Sequence, residues 1–274
     1  MTRVHDQELP DSIRLVIDQT IAAERLEGWA PTDTDVAALA ELVSGHTTFD
    51  EYLAAYRARY PAGGPSPRRD YRHLLRRRGQ YLIPGTALLR NNFGVDSQAA
   101  LSNLEFIATA GRIAAWHGRI ADGAVAVNDV DIRAIHRHVF ADVYLWAGNY
   151  RLCELRRGDS VFAWQSSLAR STALLMESAR ALALNGGGLD APGLAYRFAR
   201  LYADYNHIHP FREGNGRAGT LLLHTVAALC GRRLDLTGMS REDWYSASRD
   251  SMPFRRGGQP NHRPFLPLFV SAIR

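Results

Sequence analysis

Residues 209–217 read His209-Pro210-Phe211-Arg212-Glu213-Gly214-Asn215-Gly216-Arg217, which gathers a base, a carboxylate, two glycines, an amide and a guanidinium in one short stretch. The segment after it carries Leu221, Leu222, Leu223, Val226 and Leu229 at helical spacing, so the glycine-rich turn becomes the N-terminus of a buried helix. Such a helix start presents unpaired N–H groups and the positive end of the macrodipole, and both favour an anion.

The chemistry that fits is phosphoryl or nucleotidyl transfer, where catalysis consists mainly of cradling charge on phosphate oxygens. Gly214 and Gly216 let main-chain N–H groups approach a phosphate closely, Asn215 offers amide donors, and Arg217 offers a forked guanidinium one turn inside the helix. Glu213 is the hard oxygen ligand that Mg2+ would take beside nucleotide oxygens. His209 is the candidate general base for a hydroxyl nucleophile, and Phe211 is read as a core anchor that shapes the loop.

Outward from the motif the chain is strongly helical. Helical periodicity is read over 97–120, 128–143, 166–184, 191–206, onward from the motif to about 231, and again near 240–251 and 261–273. Residues 152–164 are short, mixed and turn-rich, and read as a hairpin. Toward the N-terminus three helices are punctuated clearly. Ile13, Val16, Ile17, Thr20 and Glu24 share one stripe that stops at Gly28, while Thr32 with Asp35 and Thr48 with Glu51 read as capping boxes. The Pro-Ala-Gly-Gly-Pro-Ser-Pro stretch at 61–67 breaks all periodicity and reads as a linker. The expected organisation is a helical unit over 1–60, a linker over 61–70 and a main domain over 71–274. The fold class is all-α with one small β-hairpin.

Composition bounds the rest. The chain has 274 residues and 46% hydrophobic content, enough for a sizeable core. No apolar run reaches membrane-spanning length and the N-terminus lacks a signal-type apolar region, so a soluble, cytoplasmic protein without membrane partners is expected. Two distant cysteines, Cys153 and Cys230, make neither a disulfide framework nor a zinc cluster. The net charge of +5 and the cluster Arg68, Arg69, Arg72, Arg76, Arg77 and Arg78 invite a nucleic-acid reading, but no aromatics interleave with it, and a solvated or partner-binding surface is favoured.

These residues resemble the Fic family, whose signature is His-x-Phe-x-(Asp/Glu)-Gly-Asn-Gly-Arg-x-x-Arg. The resemblance extends over roughly 80–274 and includes Tyr81 to Thr86, Asn91 and the Trp146-Ala147-Gly148-Asn149-Tyr150-Arg151 stretch. It implies a Fic-type helical core and transfer of AMP from ATP to a hydroxyl of a target protein. His209 would take the hydroxyl proton, Glu213 would hold Mg2+, Gly214, Asn215 and Gly216 would form the anion hole, and Arg217 would stabilise the pyrophosphate side. The hairpin at Asp159, Ser160, Val161, Phe162 and Ala163 resembles the family's flap, which registers the target as an added strand. Family targets range from topoisomerase subunits to GTPases, and homo-oligomerisation is left open.

The first 60 residues resemble the small VbhA-type antitoxin that silences Fic toxins, with the signature (Ser/Thr)-x-x-x-Glu-(Gly/Asn) matched at Glu27 and Gly28. This resemblance makes Glu27 the inhibitory carboxylate. Two positions depart from the patterns: Thr220 stands where the second motif arginine belongs, and Ala23 where the inhibitory Ser/Thr belongs. Loss of one charge-assisted contact is worth roughly 1.5 to 3 kcal/mol, a tenfold to hundredfold loss of productive ATP binding. The alternatives are therefore a degenerate Fic domain that binds without turnover, or one that uses another nucleotide-type donor.

Overall fold

A computed structural model describes residues 9–60 and 81–274 except Asp159. The linker, the arginine cluster at 68–78 and Asp159 of the expected flap lie outside the described residues. The described chain forms ten α-helices and one two-stranded antiparallel hairpin. The N-terminal helices are α1 (Asp11–Leu26), α2 (Asp33–Val43) and α3 (Phe49–Arg57). The main body is built from α4 (Gln98–Ala121), α5 (Ile132–Phe140), α6 (Leu168–Asn185), α7 (Ala191–Ile208), α8 (Asn215–Leu229), α9 (Arg241–Asp250) and α10 (Leu266–Ala272). The hairpin strands are β1 (Arg156–Arg157) and β2 (Ser160–Val161), with Arg156 opposite Val161 and Arg157 opposite Ser160.

Local signals place the first helices. Thr32 and Thr48 accept from the backbone N–H groups of Asp35 and Glu51, whose carboxylates bond back to the Thr N–H groups. Each box satisfies donors that a helix start leaves unpaired. Helix α1 turns Val16, Ile17, Ile21 and Leu26 into the core and packs on α2, α4, α8 and α9. The buried cluster runs without interruption from α1, Leu39 and Tyr52 into the main body, so the N-terminal helices share its core. Most of their stability therefore comes from docking, because a unit this small cannot bury enough surface alone.

Helix α3 reaches α4 through Gly111, where a Cβ would stand 2.9 Å from Phe49 Cε2. The Phe49 ring cannot yield freely, because the Arg112 guanidinium lies 3.6 Å from its centroid and is itself held by Asp142 at 2.7 and 2.9 Å. Gly111→Ala is expected to destabilise the chain by about 1 to 3 kcal/mol, the usual cost of overpacking, as a fall in the denaturant midpoint at unchanged slope.

Helix α8 lies at the centre. Twelve of its residues are buried, including Arg217, Thr220 and His224, so the glycine-rich turn before it opens from the core rather than from a surface helix. The hairpin is shorter than the sequence implied: Phe162 and Ala163 lie beyond β2, and among the described flap residues only Ser160 and Val161 are in a strand.

Candidate active site

The motif loop begins where α7 ends. His209 closes that helix with φ 46° and ψ 62°, the only described non-glycine residue at positive φ, while its N–H still donates to Tyr205 O at 2.9 Å. A left-handed residue other than Gly, Asn or Asp is unusual and persists only where its surroundings fix it. Arg151 supplies that fixing. Its fully buried guanidinium donates to His209 O at 2.8 Å, Cys153 O at 2.8 Å, Ala163 O at 2.6 Å and Ile208 O at 3.3 Å. Its backbone N–H adds a bond to Pro210 O, and Ala163 N–H bonds His207 O. One side chain thus ties both feet of the hairpin to the loop that carries His209. Arg151→Lys cannot reproduce the fork, and a loss of about 3 kcal/mol is expected in the denaturation midpoint, the scale of a broken buried charge network.

Phe211 is the anchor that the sequence implied: it is fully buried and stacks on His136 with centroids 3.8 Å apart. His136 accepts from Gly148 N–H at Nδ1 and therefore donates from Nε2 to Glu213 O, both at 2.9 Å. Burial pushes its pKa down to about 3, which fits a neutral imidazole bracing the loop.

Asn215 differs from the expectation. Its amide bonds Phe211 on both sides, Oδ1 accepting from the N–H and Nδ2 donating to the carbonyl, each at 2.9 Å. The side chain holds the loop closed, so the anion-facing donors left at the turn are main-chain N–H groups at the start of α8.

Arg217 also sits elsewhere than expected. Its head is buried between the Phe140 and Phe106 rings, 4.7 and 5.4 Å from their centroids. One Nη pairs with Glu105; the other donates to Thr109 Oγ1 at 3.1 Å and lies 3.8 Å from Glu24 Oε2. The forked face is committed to carboxylates inside the protein, not turned to the cavity. Glu24, fully buried on α1, accepts from Thr109 Oγ1 at 2.5 Å through Oε1, and its Oε2 has no hydrogen-bond partner. Burial pushes its pKa up to about 8 against the pull of Arg217. Glu105, Thr109 and Arg151 were missed as site residues. Glu24 did leave a signal, a carboxylate on an otherwise apolar stripe.

A cavity of about 200 Å³ opens at the head of α8, lined by Glu27, Arg157, Phe162, His209, Glu213 and Gly216 among others. His209 stacks on Phe162 at 3.9 Å, so Phe162 roofs the imidazole rather than extending a strand. Burial, then Arg157 and Arg151, hold the His209 pKa well below its ordinary value, which leaves a neutral imidazole able to accept a proton. The Glu213 carboxyl, which accepts from Gly214 N–H at 3.0 Å, is pushed up by burial and by Glu105. Among the described residues no three His, Cys, Asp or Glu side chains form a metal cluster. The donor set fits Mg2+ only as an ion carried largely by phosphate oxygens, with Glu213 as the protein ligand, which is the usual habit of nucleotide-bound Mg2+.

Glu27 caps α1 and lies directly against Gly216, where a Cβ would collide with its Oε1. Tyr245 Oη donates to its other oxygen at 3.5 Å. The carboxylate therefore lies beside the first turn of α8, within the dipole field that favours an anion. Thr220, fully inside α8, bonds back to Gly216 O and Arg217 O at 3.2 and 3.0 Å and offers nothing to the cavity.

A helical core with a small hairpin, a histidine-led loop and an anion-seeking helix start define a Fic-type nucleotidyltransferase scaffold. The profile of the Fic/DOC family matches residues 126–227, and that of the antitoxin VbhA matches residues 14–59. The chain is 32% identical over 155 residues to the probable protein adenylyltransferase y4lH of Sinorhizobium fredii, covering 56% of this chain and 77% of that protein. It is 29% identical over 174 residues to the probable protein adenylyltransferase Fic of Escherichia coli, covering 63% of this chain and 84% of that one. The BepC protein of Bartonella tribocorum, solved with bound AMPPNP, superposes with a TM-score of 0.60 at 20% identity, covering 71% of this chain and 96% of that chain. The chain belongs to the Fic/DOC family and carries a VbhA-type antitoxin region in the same polypeptide. Among the described residues no helix is long and apolar enough to cross a membrane.

Proposed function

We propose that the protein is a protein adenylyltransferase held shut by its own N-terminal helix. The observation that carries this reading is the Glu27 carboxylate seated on Gly216, in the same cavity that His209 and Glu213 line. In the open state ATP would place its phosphates at the N–H groups of the α8 start, beside which Glu27 now sits. His209 would take the proton of a target Tyr, Ser or Thr hydroxyl as its oxygen attacks the α-phosphorus, and pyrophosphate would leave with the broken α–β bridge. Mg2+, carried with the triphosphate and held by Glu213, would neutralise charge on the phosphate oxygens. Ser160 and Val161 of β2 would receive the target as an added strand. Topoisomerase subunits and GTPases remain the target classes that the family resemblance suggests.

Two acidic side chains of α1 act in the closed state, because Arg217, the first signature arginine, is held by Glu24 as well as by Glu105. Departure of α1 would therefore release Arg217 from Glu24 as well as the cavity from Glu27, whereas Glu27→Gly clears the cavity alone. The test is labelled ATP with Mg2+ and a bacterial lysate, using the intact chain, Glu27→Gly, and Glu27→Gly combined with His209→Ala. Label on lysate proteins from Glu27→Gly alone is the expected result. Thr220, sealed within its own helix, favours a second reading in which nucleotide binds without transfer; calorimetric ATP binding by Glu27→Gly with no labelled product would establish that reading instead.

A further inference from the structure

A second cavity, of about 490 Å³, lies at the seam between the inhibitory helix and the main body. Leu15, Val16 and Gln19 of α1 form one wall, while His117 of α4 and His224 of α8 stand in the other. The adenylyl-transfer reading uses none of these residues. The two imidazoles meet edge to face with centroids 4.6 Å apart, each about 5% exposed, and neither Nε2 has a hydrogen-bond partner. Buried ring nitrogens are ordinarily satisfied, so this pair is an anomaly that a hydrogen-bonding ligand would remove. Burial holds the His117 pKa down to about 4 and His224 well below its usual value, so both rings are neutral near pH 7 and can donate N–H bonds.

The charge around the cavity selects the ligand. Arg232, Arg233 and Arg274, all exposed, line it, and the carboxylate beside them, Asp235, is already engaged by Gln19 at 3.0 Å and lies 3.9 Å from Arg233. Three guanidiniums attract a carboxylate and repel a divalent cation, and no third metal-binding side chain joins the two histidines among the described residues. The remaining walls are mostly aliphatic, including Ile120 and Leu234, and the volume lies within the range of small-molecule sites. We propose that this cavity binds a small amphipathic carboxylate, head group toward the arginines and the two imidazoles and apolar body against α1, and that its occupancy holds the inhibitory unit against the core. A ligand that needs both walls binds only the docked form. At ten times its Kd it lowers the undocked fraction about elevenfold by mass action.

The inference rests on the inhibitory reading only for its consequence, and its test involves no turnover. Octanoate is the probe, with octanol, inorganic phosphate and Zn2+ as comparators, measured on the full chain by calorimetry and by amide hydrogen exchange. The expected result is one octanoate per chain, slower exchange across α1, and no binding of octanol. The surface variant Arg232→Ala/Arg233→Ala should weaken octanoate at least about tenfold, since charge-assisted bonds are lost while the core is untouched. His224→Phe keeps the ring and removes its N–H donor, and should weaken octanoate about tenfold. Absence of octanoate binding, equal binding of octanol, preferential binding of Zn2+ or phosphate, or full binding by the double arginine variant would each overturn the site. Octanoate binding with unchanged α1 exchange would overturn the coupling.

Discussion

Glu27→Gly is expected to raise adenylyl transfer by about two to three orders of magnitude over the intact chain. The estimate follows from electrostatics: two like unit charges about 4 Å apart at an effective dielectric near 20 repel by about 4 kcal/mol, close to a thousandfold in occupancy. Glu27 lies against Gly216 at the start of α8, so a phosphate drawn to that helix end would meet the carboxylate directly. The lost arginine at 220 reduces the gain, since the freed site still lacks one phosphate ligand. Glu27→Gln separates the causes, because it keeps the bulk and removes the charge. Partial activation by Gln with full activation by Gly would assign the block to both. If neither variant labels any protein or binds ATP while circular dichroism shows both folded, the inhibitory role of Glu27 fails.

The parts of this site that could be read from sequence are those built from contiguous residues. The capping boxes at Thr32 and Thr48 act within one helical turn, and the His209–Arg217 loop carries its own turn, anchor and helix start. What could not be read is created by packing across the chain. Glu105 and Thr109 sit one turn apart on α4 and meet Arg217 only because α4 crosses α8. Nothing near the motif announces that its arginine is spent there. Arg151 was visible as part of a quoted stretch, but its four carbonyl partners lie on two segments that converge only in the fold. Phe162 was assigned to the flap by position, whereas its ring stacks on His209. The hairpin's length was likewise hidden, because two residue pairs leave too short a pattern for alternation to show.

Docking of α1 is expected to weaken as pH rises from about 5 to 8, and Glu24 is the cause. In the docked state burial raises its pKa to about 8 from the ordinary 4.5, so docking favours the protonated acid. The sign follows from linkage: a carboxyl whose folded pKa is raised contributes fully below its free value and loses that contribution as pH climbs toward the folded one. A gap of that size corresponds to about 3 to 5 kcal/mol between the ends of the window. The groups facing Glu24 are Arg217, which pulls its pKa down, Thr109, which bonds it, and Glu105 and Glu27, which push it up. Arg217 is kept charged chiefly by Glu105, so its attraction is already shared and does not cancel the burial of Glu24. His117 and His136 titrate near 4 and 3, and His209 and His224 are also held low, so none of these four competes within the window. Glu213 is raised as well and adds a slope of the same sign from the core side. Glu24→Gln isolates the first term: it keeps the acceptor toward Thr109 and removes the ionisation. The intact chain should therefore lose thermal stability and α1 protection against hydrogen exchange between pH 6 and 8.5, while Glu24→Gln keeps only the smaller slope that Glu213 contributes. Equal slopes in the two proteins would remove Glu24 from the lock and leave Glu27 as its single carboxylate.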